Sequence, residues 1–179
     1  YADAVIRDAI RNVVIPTPVA TDPNASIRQD RIVVAPIWID TMALYYNKDL
    51  LNAAGIPTPP EHWDEFQEQV KKLTKLDAEG KILQSAAGIG TAANVERAAD
   101  LLSVLMLQNG AQMVDEMGSP TFEQRPESVG ESRDLPPAYQ ALEFYTDFAN
   151  PIKETYTWDA RQPNSLEAFI QGKAAFFFG

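Results

Sequence analysis

Ala174-Ala175-Phe176-Phe177-Phe178-Gly179 is the stretch that decides the fold class of this chain. A strand with one face in water alternates apolar and polar residues. Three Phe after two Ala do not alternate, so the run reads as a strand buried on both faces. Little is left after it to cover such a strand, so the chain is expected to be an excised piece of something longer. Just before it, Asn164 and Glu167 stand three apart as in a capping box. They open a short helix carrying Leu166, Phe169 and Ile170, which Gly172 stops.

Further back the helical period dominates. Trp63, Phe66, Val70, Leu73 and Leu76 are spaced 3, 4, 3 and 3, which predicts a helix over Trp63–Leu76. Asp64, Glu65 and Glu68 stand near its start and Lys71, Lys72 and Lys75 near its end, matching the helix dipole. Asn47 is placed to cap a helix over Lys48–Ala54, closed by Gly55. A helix from Asn94 to about Gln108 is apolar nearly all round in its second half and is expected to be central and buried. Pro136 and Pro137 suit a first turn, with Tyr139, Leu142, Tyr145 and Phe148 as the inner face. Extended runs are expected at Ile32–Ala35, Thr41–Tyr46 and Ile82–Ile89. Residues 2–12 read as a short helix ended by Pro16 and Pro18, and Thr21–Gln29 as loop. Residues 112–134 hold six acids against two arginines and read as a surface excursion with a short ribbon around Met113 and Thr121-Phe122. The sum is α/β with helices outnumbering strands.

Composition narrows the chemistry. The 179 residues carry 25 acids against 15 bases, a net charge of −10, which argues against nucleic acid and anionic membrane partners. No cysteine and a single histidine (His62) remove disulfides and thiol catalysis, and speak against histidine metal sites and Ser-His-Asp triads. No cofactor or metal is expected. Gly88-Ile89-Gly90-Thr91 lacks the third glycine and the lysine of phosphate-binding loops, and reads as a tight turn. The pairs Asp64/Glu65 and Asp115/Glu116 read as a helix start and a solvated loop rather than as glycosidase acids.

Trp38-Ile39-Asp40-Thr41 stands apart. Trp38 and Asp40, two residues apart, share a side of an extended segment. An apolar ring face beside a carboxylate suits a sugar or polyol, and equally suits a core Trp beside a turn-forming Asp. Trp158, in Tyr156-Thr157-Trp158-Asp159, is either a lid on a core or a ligand platform. Three function classes stay open on these residues: a solute-binding lobe, a carbohydrate-active hydrolase using Asp40, and a surface interaction module using the acidic 112–134 loop.

Pro36-Ile37-Trp38-Ile39-Asp40-Thr41-Met42-Ala43-Leu44-Tyr45-Tyr46-Asn47-Lys48-Asp49-Leu50-Leu51 resembles the signature of family 1 extracellular solute-binding proteins, the sugar-type receptors of ABC importers. So do Ala54-Gly55-Ile56-Pro57-Thr58-Pro59-Pro60-Glu61-His62-Trp63-Asp64-Glu65-Phe66, in which His62 replaces a Thr helix cap, and Ala168-Phe169-Ile170-Gln171-Gly172-Lys173-Ala174-Ala175-Phe176. Leu105-Met106-Leu107-Gln108-Asn109-Gly110-Ala111 matches a fourth element. The resemblance implies one lobe of a periplasmic-binding-protein type II fold, helix-rich around a small mixed sheet. Residues 1–31 would be a lead-in or the tail of the first lobe, 32–46 the hinge-crossing strands, and 47–179 the second lobe, incomplete at its C-terminal end. It further implies a non-catalytic receptor outside the cytoplasm, membrane-attached only through a lipid anchor on the parent chain, that passes a carbohydrate to permease subunits. The implied ligand residues are Asp40, Trp38, Thr41, Thr91 and Asn94, with Trp158 as a stacking platform.

Overall fold

Val14–Pro18 (β1) and Arg28–Ile32 (β2) pair antiparallel, Val14 opposite Ile32 and Pro18 opposite Arg28. They belong to the first of two units, Tyr1–Thr41 and Met42–Gly179. The computed structural model describes residues 14–18, 28–32, 40–115, 117–126 and 135–179. Pro16 and Pro18 thus lie in a strand, and Arg28 and Gln29 in its partner rather than in a loop. Prolines two apart remove their N–H donors from the same side of a strand, which leaves the other side for the ladder. The helix expected over 2–12, the Ile32–Ala35 strand beyond Ile32, and Trp38 lie outside the described residues. The division at Thr41/Met42 falls within the 32–46 stretch.

The second unit is α/β. Its sheet contains Leu44–Tyr46 (β3), Lys75–Leu76 (β4), Ile82–Ala87 (β5) and Ala174–Phe178 (β6), in the order β3-β6-β5-β4. β6 runs parallel to β5 and antiparallel to β3, and β4 pairs antiparallel with β5, so the sheet is mixed. All five residues of β6 are buried, as its lack of alternation requires. Phe176 and Phe178 meet Phe66, while Phe177 stacks on Phe169 and meets Tyr45 at a tilt.

Five helices surround this sheet among the described residues: Lys48–Ala53 (α1), Trp63–Leu73 (α2), Ala98–Gln108 (α3), Pro137–Asp147 (α4) and Ser165–Ile170 (α5). Asn47 caps α1, its side chain accepting from the Asp49 and Leu50 N–H groups, and Gly55 follows in the left-handed region. α2 buries Phe66, Val70 and Leu73 but ends there. Thr74 turns extended (ψ 129°), and Leu76 enters β4 with 45% of its surface exposed.

Three further expectations are corrected. α3 begins at Ala98 rather than Asn94, after Arg97 in the left-handed region. It buries Leu101, Leu105 and Met106 only, and Leu107 is 56% exposed, so it lies on one side of the core rather than at its centre. α4 turns Ala138, Ala141 and Tyr145 inward, with Phe148 just beyond it, while Tyr139 and Leu142 face out. Small residues win these positions because α3 and α4 pack against each other, and alanine lets two helices approach closely. α5 buries Ser165 and Ala168 and exposes Ile170. Asn164 caps it, but Glu167 pairs with Gln171 instead of closing a capping box. The ribbon in the acidic excursion is present, with Val114 opposite Pro120 and the Thr121 N–H donating to the Met113 carbonyl.

Candidate functional site

Parallel strands end at a common edge, and in α/β sheets ligands bind outside the carboxyl ends of the strands. Here that edge is formed by Ala87 at the end of β5 and Phe178 at the end of β6. Gly179 and Ala43 extend it, exchanging backbone hydrogen bonds of 2.7 and 3.1 Å. From β5 the chain enters a turn over residues 88–97 before α3 starts.

Packing dictates the glycines of this turn. A Cβ on Gly88 would stand 2.3 Å from the Ser165 Cβ, and one on Gly90, whose φ is +101°, would stand 2.7 Å from the Ala149 backbone nitrogen. The turn is therefore pressed between the end of α4 and the start of α5, and side chains are excluded at both points. The tight-turn reading of Gly88–Thr91 matches this packing.

Thr91, Asn94 and Trp158 come together beyond it. The Asn94 amide donates to the Asp159 and Gln162 carbonyls, both at 2.9 Å. Its oxygen accepts from the Thr91 hydroxyl and from the Trp158 indole N–H at 3.1 Å. The Thr91 carbonyl accepts from the Tyr145 hydroxyl at 2.6 Å, and burial pushes that phenol up to about 12. Ser165 joins the same frame: its N–H donates to the Asn94 carbonyl, and its hydroxyl accepts from the Glu96 N–H. Thr91 itself remains half-exposed.

Trp158 is 0% exposed and packs with Val95, Ala168 and Ala174 in a small core of its own. Its ring offers no free face, which answers to the lid-on-a-core reading. Next to it Asp159 accepts from the Tyr156 hydroxyl at 2.8 Å and from Arg161 at 2.6 and 2.9 Å. Burial works to raise the Asp159 carboxyl, but the Arg161 and Tyr156 hydrogen bonds outweigh it and hold it below the usual carboxylate value.

Asp40 and Thr41 are both exposed and close the first unit, with the Thr41 N–H donating to the Asp40 carboxylate at 2.8 Å. From its spacing alone Trp63 reads as a plain core position. In the structure its indole N–H donates to Gln108 at 2.7 Å, and the pair separates two grooves. One, of about 400 Å³, reaches the Leu44–Phe178 pair at the sheet edge; the other, of about 300 Å³, runs along Phe144 and Gln140. Only the polar tip of Trp63 hinted at this, since a Trp at an inner helical position usually seeks an acceptor. Among the described residues no three His, Asp or Glu side chains cluster as metal ligands, and no helix is long and apolar enough to cross a membrane.

The edge, the mixed sheet and its flanking helices define a binding-protein lobe, and the chain belongs to the bacterial extracellular solute-binding proteins, whose pattern matches residues 5–179. Its fold is one lobe of the periplasmic-binding-protein type II architecture. Among solved structures it is similar to maltose-bound MalE3 of T. maritima, with a TM-score of 0.53 and 26% identity over 77% of this chain and 32% of that one. It is also similar to the ABC substrate-binding protein Lmo0181 of Listeria monocytogenes in complex with cycloalternan, at TM-score 0.54 and 21% identity over 76% and 31% of the two chains. Proteins described as binding proteins in Brucella abortus and Brucella suis share 38% identity over 56 residues, 31% of this chain and 14% of theirs. The chain thus spans only part of each relative it matches.

Proposed function

We propose that this chain is the solute-binding lobe of an ABC-importer receptor, non-catalytic, with a carbohydrate held in the cleft between the receptor's two lobes. The observation that carries the reading is the family match over residues 5–179. The likeness to a maltose-bound protein supports a sugar as solute. On this reading residues 1–31 lead in from the first lobe, 32–46 carry the crossing strands and 47–179 form the second lobe. Its partners are permease subunits in the membrane, and its place is outside the cytoplasm, reached through a lipid anchor on the parent chain.

Asp40, Trp38 and Thr41 supply contacts from the crossing segment, and Thr91 supplies one from the carboxyl edge of β5. Asn94 and Trp158 enter as supports, because the first has both its amide groups engaged by protein and the second has no exposed face. An exposed carboxylate, which accepts hydrogen bonds from hydroxyls, suits the recognition of polyols. Calorimetric titration of the full-length receptor with a panel of neutral sugars that includes maltose tests the reading. Asp40→Ala is expected to weaken binding about ten-fold or more, the loss of one charge-assisted hydrogen bond. Unchanged affinity removes Asp40 from the site, and glycan turnover abolished by the same substitution revives the hydrolase alternative.

A further inference from the structure

We infer that the Thr91 hydroxyl is locked as a hydrogen-bond acceptor, so that the turn after β5 selects a solute group that donates, and that Asn94 is the positioning residue that imposes this polarity. The inference rests on the sugar-receptor reading of the carboxyl edge and deepens it. Its starting point is the Asp159 and Gln162 carbonyls, which can only accept. Both lie 2.9 Å from one atom of the Asn94 side chain, and only the amide NH₂ satisfies two carbonyls there. The amide orientation is therefore set by chemistry, and the Asn94 oxygen points the other way. The Trp158 indole N–H, which can only donate, meets that oxygen at 3.1 Å and agrees with the assignment.

Thr91 also faces this oxygen, so its proton is committed to Asn94. What the hydroxyl of this partly buried residue has left is lone pairs. Rotation of the hydroxyl toward a ligand would leave the Asn94 oxygen short of one partner, and the Tyr145 hydroxyl pins the Thr91 backbone at 2.6 Å so that the side chain keeps its place. A solute O–H or N–H meets an acceptor at this point. A carboxylate or phosphate oxygen meets lone pairs against lone pairs and is rejected. The subsite thus reads the direction of a hydrogen bond, which a plain threonine does not.

The test is calorimetric titration of the full-length receptor with maltose and with maltoses carrying, one position at a time, a hydrogen or a fluorine in place of a hydroxyl. Fluorine accepts weakly and cannot donate. At one position the deoxy and fluoro sugars are expected to bind equally poorly, about ten-fold below maltose. Thr91→Val is expected to bind maltose about ten-fold more weakly and to erase the difference between maltose and those two analogues, the coupling that one lost contact leaves in a double cycle. Thr91→Ser keeps the hydroxyl and should keep the native pattern, which separates polarity from folding. A fluoro sugar that regains maltose's affinity at the coupled position overturns the inference, as does a Thr91→Val receptor that binds maltose like the native one; both leave the receptor reading intact. A native receptor that binds neither maltose nor any neutral sugar of the wider panel removes the sugar reading, and the inference with it.

Discussion

Asn94 uses two donors and two acceptor positions on protein groups, and its side-chain partners lie 64, 65 and 68 residues further along the chain, with only Thr91 nearby. That distance explains why it reads as a helix cap in sequence: capping is the local use of an asparagine, and nothing local marks the remote one. Val95 packs into the small core around Trp158, α3 starts only at Ala98, and the Asn94 side chain bonds to residues 158, 159 and 162. Tyr145 offers a measurable handle on this frame. Its ordinary value of 10.0 is raised to about 12 by burial. Below pH 10 both folded and unfolded chains keep the phenol proton. Between about 10 and 12 the unfolded chain releases it while the folded chain holds it, so stability falls across that window. Urea unfolding as a function of pH should show this loss in the native protein. Tyr145→Phe should lack that component and be less stable at neutral pH by about 1 kcal/mol, the worth of one hydrogen bond.

At the scale of elements, α2 is the helix whose period was most legible, and its inner face of Phe66, Val70 and Leu73 follows that period. Its ends were less so. Leu73 is the last residue the core accepts, and Leu76, though in phase, is carried off by pairing with β5, because a β-branched Thr74 leaves the helix readily. At the other end His62 makes no side-chain capping bond. His62→Thr is expected to stabilise the protein by about 0.5–1 kcal/mol, measured as an upward shift of the urea midpoint with unchanged slope. No shift would mean that water already serves the first-turn N–H groups as well as a Thr hydroxyl would. In α4 Tyr139 and Leu142 face solvent while Ala138, Ala141 and Tyr145 sit inside, and in α5 Leu166 and Ile170 face solvent while Ser165 and Ala168 sit inside. Periodicity locates a helix, but the width of the gap it must fill selects which of its sides is small enough to enter.

In the second unit as a whole, one aromatic residue ties three elements together. Phe66 is 2% exposed and contacts Trp63 of its own helix, Phe148 after α4, and Phe176 and Phe178 of β6. Phe66→Ala should cost about 3–5 kcal/mol in equilibrium unfolding, since its neighbours sit on different elements and cannot collapse together into the void. A cost under about 1 kcal/mol would show that the cluster repacks. The acidic balance finds its place at this scale too: Asp49, Asp64, Glu65, Asp100 and Glu167 occupy first helical turns, where the dipole favours them.

The amino-acid sequence by itself determined the α/β class, the doubly buried last strand, the cap of α1, the core period of α2 and the family, because each rests on contacts within a few residues or on a linear signature. The tertiary structure decided how the candidate residues are held. It buried Trp158, turned Asn94 from a cap into a clamp, and set Trp63 against Gln108 between two grooves. Hydrogen-bond partners and exposed faces depend on segments that meet only when the sheet has assembled, and pairings across such distances in the chain leave no local trace.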